Sequence, residues 1–472
     1  MDMLAPLRSA LLALALAVAA PALAWQPSLQ GEVTAQLAAA GPGTRYGLVV
    51  TDMEGRELIA INPDNRFIPA SNTKMFTTAA AFAAMAGLDR PDTAGGAAVR
   101  LDGRDVILIG HGDARLSSAA DCVTDCLAAL ADAVAARTRR VRHVIGDDSL
   151  FADQRWSPGM SWNNIPTRSG TAISALTLDD NELHVRVSPG TVGEPPALDH
   201  LPYYRIVNRA VTVTEGETSL SFDRMPNSLD LYLTGRIRAG AEPTVLRLGI
   251  DDPAHYAAWR FATLLRERGV RLSGDVQVRH RTPGGTVEPS GAELLARLTP
   301  PPLAETLTRI NKESQNLHAE LLIRRLGLIE GAGSIEDGVA RIEAMMAEAG
   351  VPRTGWDLSD GSGMSTYNRM SPRAVAALLR WAATQSWGAA WRDTFSVAGV
   401  DGTLQRRFRD SPLQGRLFAK TGTLNATNAL SGYLTARSGR TLIFSFFAND
   451  VPGGGSATAA MDAVLQRIAA EN

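Results

Sequence analysis

The feature that most constrains this chain is an interruption. Its two ends share one pattern of strands and helices, and the long middle follows another. Tyr46 to Thr51 and Glu57 to Ile61 are short β-rich runs joined by the turn Met53-Glu54-Gly55-Arg56, the pattern of a hairpin. Pro69-Ala70 then precedes Ser71, and Lys74 to Met85 is apolar and Ala-rich, as in a buried helix. At the other end, Leu417 to Thr421, Ala429 to Ala436 and Thr441 to Ala448 read as strands, the last two joined at Ser438-Gly439. Ala457 to Ala470 closes the chain as an amphipathic helix. The ends thus offer about five antiparallel strands with helices for both faces, a three-layer plan. From about Pro91 to Thr282 the chain is rich in short strands: Asp105 to Ile109, His143 to Ile145, Leu183 to Val187, Ala210 to Thr214 and Leu229 to Leu233. Predicted helices at Ala119 to Arg137 and Ala254 to Arg268 interrupt them. Gly284-Gly285 reads as a linker, and helical periodicity returns from Leu303 to Arg380. One domain split by a long two-part insertion is the expected organisation.

Composition excludes several classes. With 45% hydrophobic and 20% charged residues the chain is globular rather than disordered. A net charge of -2 argues against nucleic-acid binding, which needs a basic stripe. Met1 to Ala24 reads as a secretory signal: Arg8, an apolar run from Ala10 to Ala20, then Ala22-Leu23-Ala24 for cleavage. Trp25 would begin a mature chain of 472 − 24 = 448 residues, exported to the periplasm. An uncleaved anchor is the alternative; no later run is long enough to span a bilayer. The two cysteines, Cys122 and Cys126, lie four apart on one predicted helix, near but not ideal for bridging. A local staple is the expected role. Two cysteines without a matched His pair are too few for zinc, and no metal or cofactor is expected.

Lys+Arg total 47, but the lysines are only Lys74, Lys312 and Lys420, leaving 47 − 3 = 44 arginines. Arginine cannot lose its proton in a protein, whereas a buried or crowded lysine can. Each lysine sits in a short motif. Ser71-Asn72-Thr73-Lys74 puts a hydroxyl and an amine on one helix face, with Ser71 near backbone N–H groups that stabilise a developing anion. A neutral Lys74 could take the Ser71 proton and make that serine a nucleophile. Lys420-Thr421-Gly422-Thr423 puts a cation and a hydroxyl on a predicted strand. Gly422 there would leave room for a substrate along the strand edge. The Thr423 N–H would be the second oxyanion donor beside that of Ser71. Ser314-Gln315-Asn316 follows Lys312: its hydroxyl could relay a proton between two amines, and its amide could bind a substrate carbonyl. Lys312 itself reads as a structural cation for Glu313 or Glu320, or as part of the site.

The order Ser-x-x-Lys, Ser-x-Asn, Lys-Thr-Gly is the set used by penicillin-binding proteins and serine β-lactamases. The stretches PASNTKMFT, NKESQNLHAE, DGSGMSTYNRMSP, VAGVDGTL and AKTGTL closely resemble those of the D-Ala-D-Ala carboxypeptidase/endopeptidase family of peptidase class S13, the class C low-molecular-mass penicillin-binding proteins. The resemblance runs from about Leu29 to the C-terminus. Its most specific mark is the gap of 314 − 71 = 243 residues between Ser71 and Ser314. The resemblance implies an α+β multidomain chain. A transpeptidase-like domain, a five-stranded antiparallel sheet covered by helices on both faces, would occupy 25–88 and 286–472. A β-rich domain II would occupy 89–186 and 238–285, with a domain III nested at 187–237.

Carried over by motif position, Ser71 is the acylated nucleophile, Lys74 its base, and Ser314 the proton shuttle to the leaving amine. Asn316 holds the peptide, and Lys420 and Thr421 bind the terminal carboxylate or tune the proton network. Burial and the nearby Lys420 should lower the pKa of Lys74, while Lys420 can act as a fixed cation. Asp360-Gly361-Ser362-Gly363 reads as a structural turn near the cleft. The partners implied are stem peptides ending in D-Ala-D-Ala, with β-lactams as inhibitors and at most a peripheral relation to the membrane. Three positions depart from the pattern with which family members grip meso-diaminopimelate: Asn164, Ser169 and Thr366, with Arg369 a candidate substitute. The competing readings are a β-lactamase-like hydrolase and a non-hydrolytic penicillin- or peptidoglycan-binding protein on the same fold. The Glu-x-x-Leu-Asn segment of class A β-lactamases, a Gly-x-Ser-x-Gly elbow and His-Glu-x-x-His do not occur.

Overall fold

The computed structural model describes residues 28–282, 284–286 and 291–472. The expected signal segment therefore lies outside the described residues. Strand pairing joins the two chain ends. A six-stranded antiparallel sheet is built from β1 (Arg45–Asp52), β2 (Glu57–Ile61), β3 (Ser396–Val397), β4 (Leu417–Leu424), β5 (Thr427–Thr435) and β6 (Thr441–Asn449). Its spatial order is β3-β4-β5-β6-β1-β2. Register from Arg45↔Asn449 to Asp52↔Leu442 zips β1 to β6. Five of these strands were expected; the two-residue β3 adds a sixth at the edge of β4.

Alternation along β6 shows why helices cover both faces. Phe444, Phe446 and Ala448 enter one core with α1 (Leu29–Ala40) and α7 (Thr458–Glu471), through Val33, Leu37, Met461 and Leu465. Ile443 and Phe447 enter the other. There α2 (Thr73–Ala84), α3 (Leu303–Lys312), α4 (Asn316–Gly327), α5 (Ile335–Glu348) and α6 (Pro372–Ala383) contribute Phe76, Leu307, Ile323, Met346 and Leu379. A period of two on a sheet sandwiched between helices leaves almost no strand residue in water.

The insertion carries its own core. A five-stranded sheet runs in the order Val276–Arg281, Val144–Ala152, Asp105–Ile109, Ala98–Asp102, Glu293–Arg297. Glu293–Arg297 lies past the boundary expected at residue 286, yet pairs with Ala98–Asp102 from Ala98↔Arg297 to Leu101↔Glu293. The insertion returns this strand to cover an open sheet edge, so it extends further than the motif spacing suggests. Strands Arg205–Asn208, Val211–Val213, Ser219–Asp223 and Asp230–Arg238 form a separate four-stranded sheet. The nested boundaries expected at 187 and 237 both cut through strands, Glu182–Ser188 and Asp230–Arg238, whose ladders hold as units.

The helix expected from Ala119 begins only at Leu127 and ends at Arg137. Asp125 sits in the left-handed region at φ 59°, which helix propagation forbids, and Cys126 is the extended cap. Cys122 and Cys126 are bridged across this turn rather than along a helix, with Cα atoms 5.7 Å apart. No helix among the described residues is long and apolar enough to cross a membrane.

Candidate active site

Ala70–Asn72 forms a single 3-10 turn that feeds directly into α2, and Ser71 is its middle residue. Two glycines let neighbouring segments close on this turn. A Cβ on Gly363 would stand 1.9 Å from the Ala70 carbonyl oxygen, and one on Gly422 would stand 2.7 Å from that of Pro69. Gly422 therefore makes room for the serine turn itself, which corrects the expectation that it clears space for substrate. The Asn72 side chain donates to the Lys420 carbonyl at 2.8 Å and ties the turn to β4.

Lys74 follows Ser71 by three residues and is wholly buried. Its Nζ lies 2.8 Å from Ser71 Oγ, 2.7 Å from Asn316 Oδ1 and 2.6 Å from the Ser362 carbonyl oxygen. The latter two atoms can only accept. A neutral amine has two N–H donors, so both are engaged by Asn316 and Ser362, and the lone pair faces the serine hydroxyl. Burial pulls the Lys74 pKa down to about 7, opposed by the charges of Asp360 and Glu320. The Asp360 carboxyl is raised to about 6, by burial first and by Glu320 second.

Ser314 lies between α3 and α4 at φ 61°, a strained conformation for a serine and one concentrated at functional sites. Its hydroxyl accepts from Lys420 Nζ at 2.9 Å, and Lys420 also donates to the Thr421 carbonyl at 3.0 Å. Lys420 is wholly buried too, and burial followed by the charge of Lys74 pushes its pKa well below the lysine range. Burial and the Lys74 charge thus both disfavour a charged Lys420, against the expectation that it is a fixed cation.

Asn316 opens α4 and is held at both ends: Oδ1 accepts from Lys74, and Nδ2 donates to the Ser169 carbonyl at 3.0 Å. Thr421 is half-buried and donates to Thr403 Oγ1 at 2.7 Å. Thr423 is exposed on β4. β3 pairs with β4 only as far as Ala419, so among the described residues the edge from Lys420 onward is open to a ligand. Lys312 does not pair with Glu313 or Glu320. Its amine meets Asp401, in the loop after β3.

Several participants escaped sequence reasoning. Glu320 accepts the N–H groups of Gly361 and Ser362 at 3.0 and 2.9 Å, and so fixes the carbonyl that holds Lys74. Its place four residues after Asn316, on the same face of α4, was the available signal. Asp360 accepts from Gly363, Ser365 and Asn368, so this structural turn sets one wall of the lysine pocket. Thr403 and Asp401 lie in the VAGVDGTL stretch without any motif spacing to mark them. At the departing positions, Asn164 is half-buried and Thr366 exposed, while Ser169 meets Asn316 through its main chain. The Arg369 guanidinium is engaged by the carbonyls of Thr366 and Asn368 at 2.6 and 2.8 Å.

The chain is similar to known proteins over most of its length. The chain is 34% identical over 450 residues to a D-alanyl-D-alanine carboxypeptidase of Actinomadura sp. (strain R39), covering 90% of this chain and 81% of the relative. It is 30% identical over 463 residues to a carboxypeptidase DacB of Mycolicibacterium smegmatis, covering 93% and 85%. The crystal structure of penicillin-binding protein 4 (dacB) from Haemophilus influenzae matches with a TM-score of 0.79 at 21% identity, over 92% of this chain and 98% of that one, and so shares its fold. A family model spans residues 29–470, from the first helix through the serine turn and the insertion to the last. With two buried lysines set against two serines inside that span, the chain belongs to the D-Ala-D-Ala carboxypeptidase 3 (S13) family.

Proposed function

We propose that this protein trims or un-crosslinks peptidoglycan stem peptides as a serine-type D-Ala-D-Ala carboxypeptidase/endopeptidase, through an acyl-enzyme on Ser71. Family membership and the carboxypeptidase relatives give the enzyme class. The observation that carries the mechanism is the Lys74 amine, placed 2.8 Å from Ser71 Oγ with its two other contacts on acceptor-only atoms.

Neutral Lys74 takes the Ser71 proton as Oγ attacks the penultimate D-alanine carbonyl. The backbone N–H groups of Ser71 and Thr423 receive the oxyanion; one such donor is worth about 10²–10³ in rate. The remaining N–H of the Asn316 amide orients the peptide. As the tetrahedral intermediate collapses, the C–N bond breaks, the Ser314 hydroxyl, hydrogen-bonded to Lys420, delivers its proton to the leaving D-alanine amine, and the proton held by Lys74 is passed on to Ser314, so that Lys74 is neutral again. Water then attacks the ester, giving a proton to Lys74, which passes it to Ser71 Oγ as the ester bond breaks and the serine is freed. Lys420 and Thr421 receive the terminal carboxylate. β-Lactams acylate the same serine. Met1 to Ala24 would direct the chain to the periplasm, where this substrate lies.

The test is incubation of the purified protein with pentapeptide and cross-linked muropeptides, followed by mass analysis. Release of D-alanine or of monomers, with a penicillin adduct on the Ser71 peptide, is the expected result. An adduct elsewhere overturns the assignment of Ser71. Fast nitrocefin turnover without muropeptide cleavage makes the protein a β-lactamase instead.

A further inference from the structure

The proposed carboxylate site contains one hydroxyl more than the motifs account for. Thr403 is exposed on the short turn Gly402–Leu404, beside the open edge of β4. Its Oγ1 accepts from Thr421 at 2.7 Å. Ser396 Oγ lies 3.1 Å from Thr403 Oγ1, accepts the Thr403 N–H at 3.1 Å, and donates to the Lys312 carbonyl oxygen at 3.2 Å.

Counting protons fixes the direction of this chain. The Lys312 carbonyl can only accept, so the single Ser396 proton goes to it. Ser396 Oγ is then an acceptor toward Thr403, and Thr403 an acceptor toward Thr421. Without ligand, the protons of Thr421 and Thr403 both point along the chain and away from the cleft. An arriving anion reverses them, because a hydrogen bond to a charged acceptor is about twice as strong as one between neutral groups.

The turn that carries Thr403 is pinned where it stands. Lys312 and Asp401 form an ion pair, and the other Asp401 oxygen accepts the Val397 N–H at 2.8 Å. Gly402 has φ 55°, and a Cβ there would stand 2.4 Å from Ser396 Oγ and 2.6 Å from the Lys312 carbonyl oxygen. The C-terminal end of α3 thus holds the turn against β4, so Thr403 can turn its hydroxyl proton without moving its backbone.

We infer that Thr403 is a further substrate-binding residue, forming with Thr421 a two-hydroxyl clamp on the terminal carboxylate beside Lys420, and that Lys312 positions it through Asp401. This deepens the reading of Ser71, Lys420 and Thr421 given above and rests on it. It also accounts for the third lysine, which braces the cleft without entering it.

The experiment compares an activated D-alanyl thioester carrying a free carboxylate, N-benzoyl-D-alanylthioglycolate, with its methyl ester. Wild type, Thr403→Val, Thr403→Ser and Lys312→Met are assayed on both. Thr403→Val is expected to lose about tenfold or more in kcat/KM on the free acid, as KM, and less than twofold on the ester. Thr403→Ser, which keeps the hydroxyl, should restore most of the preference for the acid. Lys312→Met, which loosens the turn from outside the cleft, should lower the same preference severalfold. Equal losses on acid and ester, or none on either, overturn the role of Thr403. Failure of the underlying reading looks different: Thr421→Val would leave the acid preference intact, or wild type would form no acyl adduct on Ser71.

Discussion

The central sheet and the sheets of the insertion obey the same pleat but meet different surroundings. In β5 and β6 nearly every residue is buried, because helices cover both faces. In Glu182–Ser188 and Asp230–Arg238, buried positions alternate with exposed ones, because one face meets water. Polar groups in the first setting lose hydration and change chemistry. Lys74 and Lys420 are wholly buried and both have depressed pKa values. Arginines on the insertion strands, such as Arg236 and Arg238, remain exposed and hydrated. Lys74 and Lys420 stand where burial disfavours the charged form, a position in which arginine could not shed its proton.

The comparison can be broken most directly at Lys74. Lys74→Arg keeps a cation but removes the neutral base, and should slow penicillin acylation of Ser71 by about 10²–10⁴-fold. An unchanged adduct rate by mass spectrometry would show that the buried amine is not the base. Truncation tests the packing half of the contrast. Phe446→Ala, in the doubly covered sheet, should cost about 3–5 kcal/mol, whereas Tyr232→Thr, on an exposed insertion strand position, should stay within about 0.5 kcal/mol. Similar denaturation midpoints for the two variants would erase the distinction.

The smallest effect is on pH. Lys74 is charged and unable to accept a proton below about 7 and neutral above it, so acylation should rise with pH through that value. The Glu320 charge raises the Lys74 pKa. Glu320→Gln should therefore move the rising limb to lower pH, by about one unit. A shift to higher pH would mean that Glu320 does not act through its charge.

Much of the central layer was legible because its signals are local. The strands at Leu417, Ala429 and Thr441 and the closing helix follow from runs and turns within ten or fifteen residues, and each forms close to its expected limits. The hydroxyl and amine of Ser71 and Lys74 were legible for the same reason, since a helical turn fixes their spacing. The insertion was less so. Strand Glu293–Arg297 belongs to it only through pairing with Ala98–Asp102, and the helix before Arg137 starts late because Asp125 leaves the helical region. Thr403 and Asp401 had no spacing to reveal them, since their partners lie on β4 and α3.

By itself, the sequence determined which residue types could do the chemistry and in what order they occur: two serines, an amide and three lysines placed in short motifs. Tertiary structure alone decided what those lysines are. The same side chain is a buried amine with a lowered pKa 2.8 Å from Ser71 Oγ at position 74, a depressed amine beside Ser314 at position 420, and an ion-paired group held by Asp401 at position 312. The reason is physical. Helix and strand spacing is set by neighbours in the chain, whereas desolvation and charge pairing are set by whatever distant segments fold against a group.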